Sequence, residues 1–137
     1  MATWSKFYAF TENLAEKVHN LGSDTLKVML TNTAPSVSNT VKGDITEISA
    51  GNGYTAGGHA VTVTASAQTS GTYQLTADPL TITATGAIGP FRYTVLYNDT
   101  ATNDELIAWS DVGSITMANT DTFTVTFDGT NGVLRLT

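Results

Sequence analysis

At 137 residues the chain has the length of one domain that can bury a core without staples, and with no cysteine it can hold neither a disulfide framework nor a thiolate metal site. Twelve acidic and six basic side chains give a net charge of −6. The bases stand singly at Lys6, Lys17, Lys27, Lys42, Arg92 and Arg135, so no positive stripe exists to follow a phosphate backbone, and nucleic acid is excluded as the expected partner. No apolar run approaches the roughly 20 residues that span a bilayer, and no signal-peptide pattern is present, which predicts a chain made in the cytoplasm and not bound to a membrane.

The opening segment predicts the single helix, over about residues 4–21. Phe7, Phe10, Leu14, Val18 and Leu21 form a narrow stripe at 3.6-residue spacing, with Thr3 or Ser5 available as N-cap and Gly22 as the C-terminal stop. Trp4, Tyr8, Ala15 and His19 make a second, flanking stripe. Together the stripes are wider than one sheet covers, so the second is a candidate partner surface. The alternative is a deep seat for the helix in its own domain.

Leu26, Val28 and Leu30 alternate in the first strand. The segment 32–49 is rich in Ser, Thr and Asn, with room for one helical turn at Asp44–Ile48. Gly51-Asn52-Gly53-Tyr54, followed by Gly57-Gly58, superficially suggests a phosphate loop. No lysine follows and no helix starts after it, so it reads as an exposed loop turning tightly around Tyr54, a further candidate contact residue.

From His59 the pattern is strand and turn. Strands are expected at 59–67, 72–76 and 80–84. A central hairpin follows, of Phe91–Asn98 and Glu105–Ser110, and then strands at 112–117, 122–127 and 133–136. Phe91, Tyr93, Val95 and Tyr97 fall on one face of the central strand while Leu96 occupies the other, so both faces are expected to be covered. Gly89-Pro90 is expected to prevent its extension upstream, and Asn98-Asp99-Thr100 to turn the chain downstream. Phe123, Val125 and Phe127 predict a buried row, and Asp128–Gly132 a hairpin loop. Eight or nine short strands with one N-terminal helix specify a mainly β protein, a single β-sandwich domain over 1–137, with a jelly roll among the arrangements allowed. Strand order is not legible.

Catalytic chemistry has no visible constellation. His19 and His59 lie in unrelated contexts, and most acids occupy turns, where Asx hydrogen bonding explains them. Asp99, Asp104 and Glu105 could offer oxygen ligands to Ca²⁺, but the spacing and glycine of an EF-hand are missing. Arg92, mid-strand among apolar residues, either lays its stem along apolar surface or pairs with a carboxylate such as Asp111. The expectation is a protein with no catalytic residues, no cofactor and no metal.

Several stretches resemble a group of small structural proteins of tailed bacteriophages, some of them similar to capsid cement (decoration) proteins. They are Met1–Tyr8 with Phe10, the join Asn20–Val28, Gly51–Tyr54, Gly89–Tyr93, and Leu96–Thr100. The resemblance spans nearly the whole chain but rests on fold-type residues. It implies a virion component on the capsid exterior that bridges subunits of the major capsid protein as a homo-oligomer, dimer or trimer. The alternative is a tail or fibre module that recognises a host receptor or glycan, with Tyr54, Tyr73 and Trp109 as aromatic platforms. A small glycosidase is disfavoured by the missing carboxylate pair.

Overall fold

The computed structural model describes residues 3–127 and 132–137. Ten strands and one α-helix are described, in the order β1 (Trp4–Lys6), α1 (Tyr8–Ala15), β2 (Leu26–Thr31), β3 (His59–Ala60), β4 (Val63–Thr69), β5 (Thr72–Ala77), β6 (Leu80–Thr83), β7 (Ile88–Asn98), β8 (Leu106–Met117), β9 (Thr122–Val125) and β10 (Leu134–Leu136). They form a five-stranded sheet, β1-β8-β7-β2-β3, and two smaller ones, β10-β5-β4 and β6-β9, with antiparallel pairing throughout. The protein is mainly β, a β-sandwich with one helix, as the alternation predicts. The expected hairpin loop at 128–132 lies outside the described residues except for Gly132.

β7 is the middle strand, and Thr94 to Asn98 are all buried, so the two-sided burial read from Leu96 holds. On one face of the large sheet Leu26, Val28 and Leu96 pack with Phe10, Leu75, Val125 and Phe127, which joins the sheet to the smaller ones. On the other, Met29, Val95 and Tyr97 pack with Phe7 and Leu106, and Ile45 from the long connection lies against them.

Four expectations change. The first is the helix, which is two turns long and does not run over 4–21. Its start is displaced because Trp4–Lys6 pairs with Ala108–Ser110 as an edge strand, leaving Phe7 at the N-cap with no side-chain cap. Its end comes early because Lys17 takes a left-handed conformation (φ 69°) and the Val18 N–H donates to the Asn13 carbonyl, a Schellman-type stop. The second concerns Gly89-Pro90, which does not stop β7: the strand runs through it with a cis peptide. The third is the aromatic row. Register shifts on both sides of Phe91 put its ring among Leu30, Ile82 and Met117, on the face opposite to Val95 and Tyr97. An extra residue in a ladder reverses every side chain beyond it. The short helical turn also moves slightly, to a 3-10 turn at Lys42–Asp44.

Candidate partner interface

The five residues singled out as contact candidates do not form one patch. Trp4 is half-buried; its ring stacks on Phe127 at 5.6 Å and its indole N–H donates to the Thr126 carbonyl at 3.3 Å. It belongs to the core of its own chain. His19 and Tyr54 are buried, at 5% and 2% exposure. Tyr8 and Ala15 are exposed, seven residues apart on the same helical face as Thr11 and Glu12. Tyr8, at 70%, carries the most exposed large apolar side chain described. Its position is fixed from both sides, because the Tyr8 N–H donates to the Val37 carbonyl and the neighbouring Phe7 N–H to that of Ile107.

Tyr54 is buried for a reason that glycine content alone did not reveal. Its hydroxyl accepts from the Leu30 N–H at 3.0 Å and donates to the Glu47 carboxylate at 2.6 Å, which also accepts from the Gly57 N–H at 2.7 Å. Burial and Glu47 push the phenol well above its ordinary value. The loop is exposed at Gly51–Gly53 and at Thr55 and Ala56, as expected, but Tyr54, Gly57 and Gly58 are buried and make it a clamp on β2. Gly58, at φ 83°, lies so close that a Cβ there would stand 2.0 Å from the Val28 carbonyl oxygen. The aromatic platform of the receptor reading does not assemble either. Tyr54 presents no accessible ring, Trp109 packs on Phe7 at 4.7 Å, and Tyr73 alone lines an open groove.

That groove, of about 920 Å³, runs between the 14–24 segment, the turn at 100–105, and Ser66, Tyr73 and Leu136 of the small sheet. Its floor is organised by Asn98, which the sequence reading treated only as a turn residue. The Asn98 amide donates to His19 Nδ1 at 3.0 Å and to the Asp24 carboxylate at 2.7 Å, and its carbonyl accepts from the Thr100 and Ala101 N–H groups. All four hydrogen-bonding positions of a fully buried amide are occupied, which ties the helix-to-β2 connection to the tip of the central hairpin. Leu136, in the last expected strand, is 44% exposed at the groove edge.

The donation from Asn98 fixes the His19 proton on Nε2, which is buried without a hydrogen-bond partner among the described residues. Burial holds His19 below its ordinary value of 6.5, partly offset by Glu105 and Asp24, and burial lowers His59 in the same direction. The unfolded chain therefore binds these protons first. Stability from the neutral rings is complete above about pH 6.5 and is lost as pH falls below it toward the depressed folded values. Melting temperature is expected to drop between pH 7.5 and pH 5, and His19→Asn to flatten that slope. An equal slope in the variant would remove His19 from the account.

Asp99, Glu105 and Asp111, among the acids read as turn chemistry or as oxygen ligands, have structural partners. Asp99 pairs with Lys27 at 3.0 Å, and the Glu105 carboxylate accepts from the Asn103 backbone and side chain. Asp111 receives Arg92 in a two-pronged pair, Nε to Oδ1 and Nη2 to Oδ2, each at 3.0 Å, so of the two options for Arg92 the carboxylate pairing is the one adopted. That pair holds the Asp111 carboxyl below its usual range. The chain matches no protein-family model, and no curated protein or solved structure matches it either.

Proposed function

We propose that the protein is a structural component of a tailed-phage virion, a cement protein that binds the outside of the coat lattice, bridges copies of the major capsid protein, and does no catalysis. The observation that carries the reading beyond sequence resemblance is Tyr8. It is a large aromatic side chain left 70% exposed on a helix whose backbone is anchored to two other segments. An exposed tyrosine carried on an anchored backbone is the kind of side chain in which binding energy concentrates. The polar groups that could have served chemistry, Glu47, Asn98 and Asp111, have structural partners instead. Contacts of this modest size become firm attachment when symmetry repeats them over a shell.

The test sets purified tailless shells against host glycans as partners. The protein is expected to be retained by the shells. Tyr8→Ser is expected to weaken each contact by about 2 kcal/mol, roughly thirtyfold in Kd, with no change in melting temperature because the ring is already in water. Retention by glycans and not by shells would favour the receptor-binding alternative. Lost stability in the variant would place the ring in the chain's own core.

A further inference from the structure

We infer that the β4 edge is a self-association surface, on which a second copy of this chain pairs its own β4 antiparallel across a two-fold axis. β4 ends the order β10-β5-β4, so one of its sides has no neighbouring strand among the described residues. At seven residues it is the longest edge strand described; β1, β3, β6, β9 and β10 have two to four residues. Thr64 to Thr69 are all exposed. A side without a neighbour presents a row of backbone donors and acceptors that fits another strand.

Edges of this kind are ordinarily blunted by lysine, proline or a bulge. The shorter edges β1 and β10 carry Lys6 and Arg135. β4 carries neither a charge nor a proline, and its irregularity is confined to Val63–Ala65, leaving Ala65–Thr69 regular. One face of this stretch is lined by Ala65, Ala67 and Thr69, continuing across Thr72, Gln74 and Thr76 of β5 to Arg135 of β10, two strands from the edge, as an open concavity of about 400 Å³. Small neutral side chains leave the backbone within reach.

Charge selects a second copy as the occupant. A two-fold contact sets each residue near its own symmetry mate, so an acidic chain of net charge −6 repels itself wherever its carboxylates meet. Between Glu47 and Asp78 the sequence contains no Asp, Glu, Lys or Arg, and both β4 and its hairpin partner β5 lie within that stretch. A pairing centred on Ala67 sets Ala65 opposite Thr69 and Ser66 opposite Gln68, and joins two three-stranded sheets into one of six. The contact specifies the self-association in the capsid reading but does not depend on it. Failure to bind shells leaves it intact, and a monomeric chain leaves shell binding intact.

Sedimentation equilibrium of the full chain is expected to give twice the monomer mass. A65K/T69K places like charges opposite each other and is expected to weaken the dimer by at least about tenfold, whereas A65K/T69E pairs opposite charges and is expected to keep it. Circular dichroism checks that each variant is folded. Because the chain has no native cysteine, Ala67→Cys supplies a single thiol. Across an antiparallel pair the Cα atoms are about 4.5–5.5 Å apart, within the disulfide range, so mild oxidation should link two chains, and the same change at exposed Ser38 should not. A wild-type chain that stays monomeric up to millimolar concentration overturns the inference, and so does a dimer equally strong in all three forms.

Discussion

Gly58→Ala is expected to lower the unfolding free energy by about 2–5 kcal/mol, combining left-handed backbone strain with overpacking against a strand that cannot retreat. The added Cβ would meet the Val28 carbonyl oxygen at 2.0 Å and the Met29 Cα at 2.8 Å. Both atoms belong to β2, which is paired on its two sides by β7 and β3. Against a total stability of about 5–15 kcal/mol for a domain, this change alone can leave a large unfolded fraction. Gly43→Ala is the control: nothing lies within 4 Å and its φ is ordinary, so its effect should stay within about 0.5 kcal/mol. Denaturant titration of the pair checks both figures. Equal midpoints would show that the Gly-rich loop does not clamp β2.

Phe91→Ala is expected to cost about 3–5 kcal/mol. The ring is fully buried, meets Phe123 edge-on at 5.1 Å, and fills the space between Leu30, Ile82 and Met117. The same change at half-buried Phe123 should cost less, because part of that ring is already hydrated. A loss below about 1 kcal/mol at Phe91 would show that the register shifts do not turn its ring into the interior.

These two positions show where the sequence was legible. Alternation located β2 and the central hairpin because burial on a pleated strand imposes period two. It assigned Phe91 to the wrong face because a one-residue shift in a ladder leaves no mark in the alternation itself. The helix was overextended for a related reason. Trp4, Phe7 and Phe10 fit helical spacing whether or not the chain is helical, and the Lys17 stop has no glycine to announce it. Trp4 thus looked like one of four members of an outward stripe, when strand pairing turns it onto Phe127. The glycines at 51–58 were visible, but not the backbone they approach. Asn98 was missed because its side-chain partners lie far away in sequence, His19 being 79 residues off, whereas Glu47 was missed although Tyr54 and Gly57 follow within 10 residues, because a side-chain bond across an irregular loop leaves no periodic mark. The Arg92–Asp111 pair was among the options read, since adjacent strands of one hairpin bring nearby residues together.

Tyr8 and Ala15, the exposed members of the original contact set, make the helix face the surface on which coat binding would act. The β4 edge, in contrast, is legible in the sequence only as an absence of charge over thirty residues. On the proposed reading the two surfaces would separate attachment to a shell from association between copies, and variants at one should leave the other in place.

The most direct measurement is the temperature at which tailless shells rupture, with and without saturating protein. The protein is expected to pellet with the shells and to raise that temperature by several degrees, and Tyr8→Ser at the same concentration is expected to weaken both effects together. Shells that rupture at an unchanged temperature, with the protein left in the supernatant, would contradict the capsid reading.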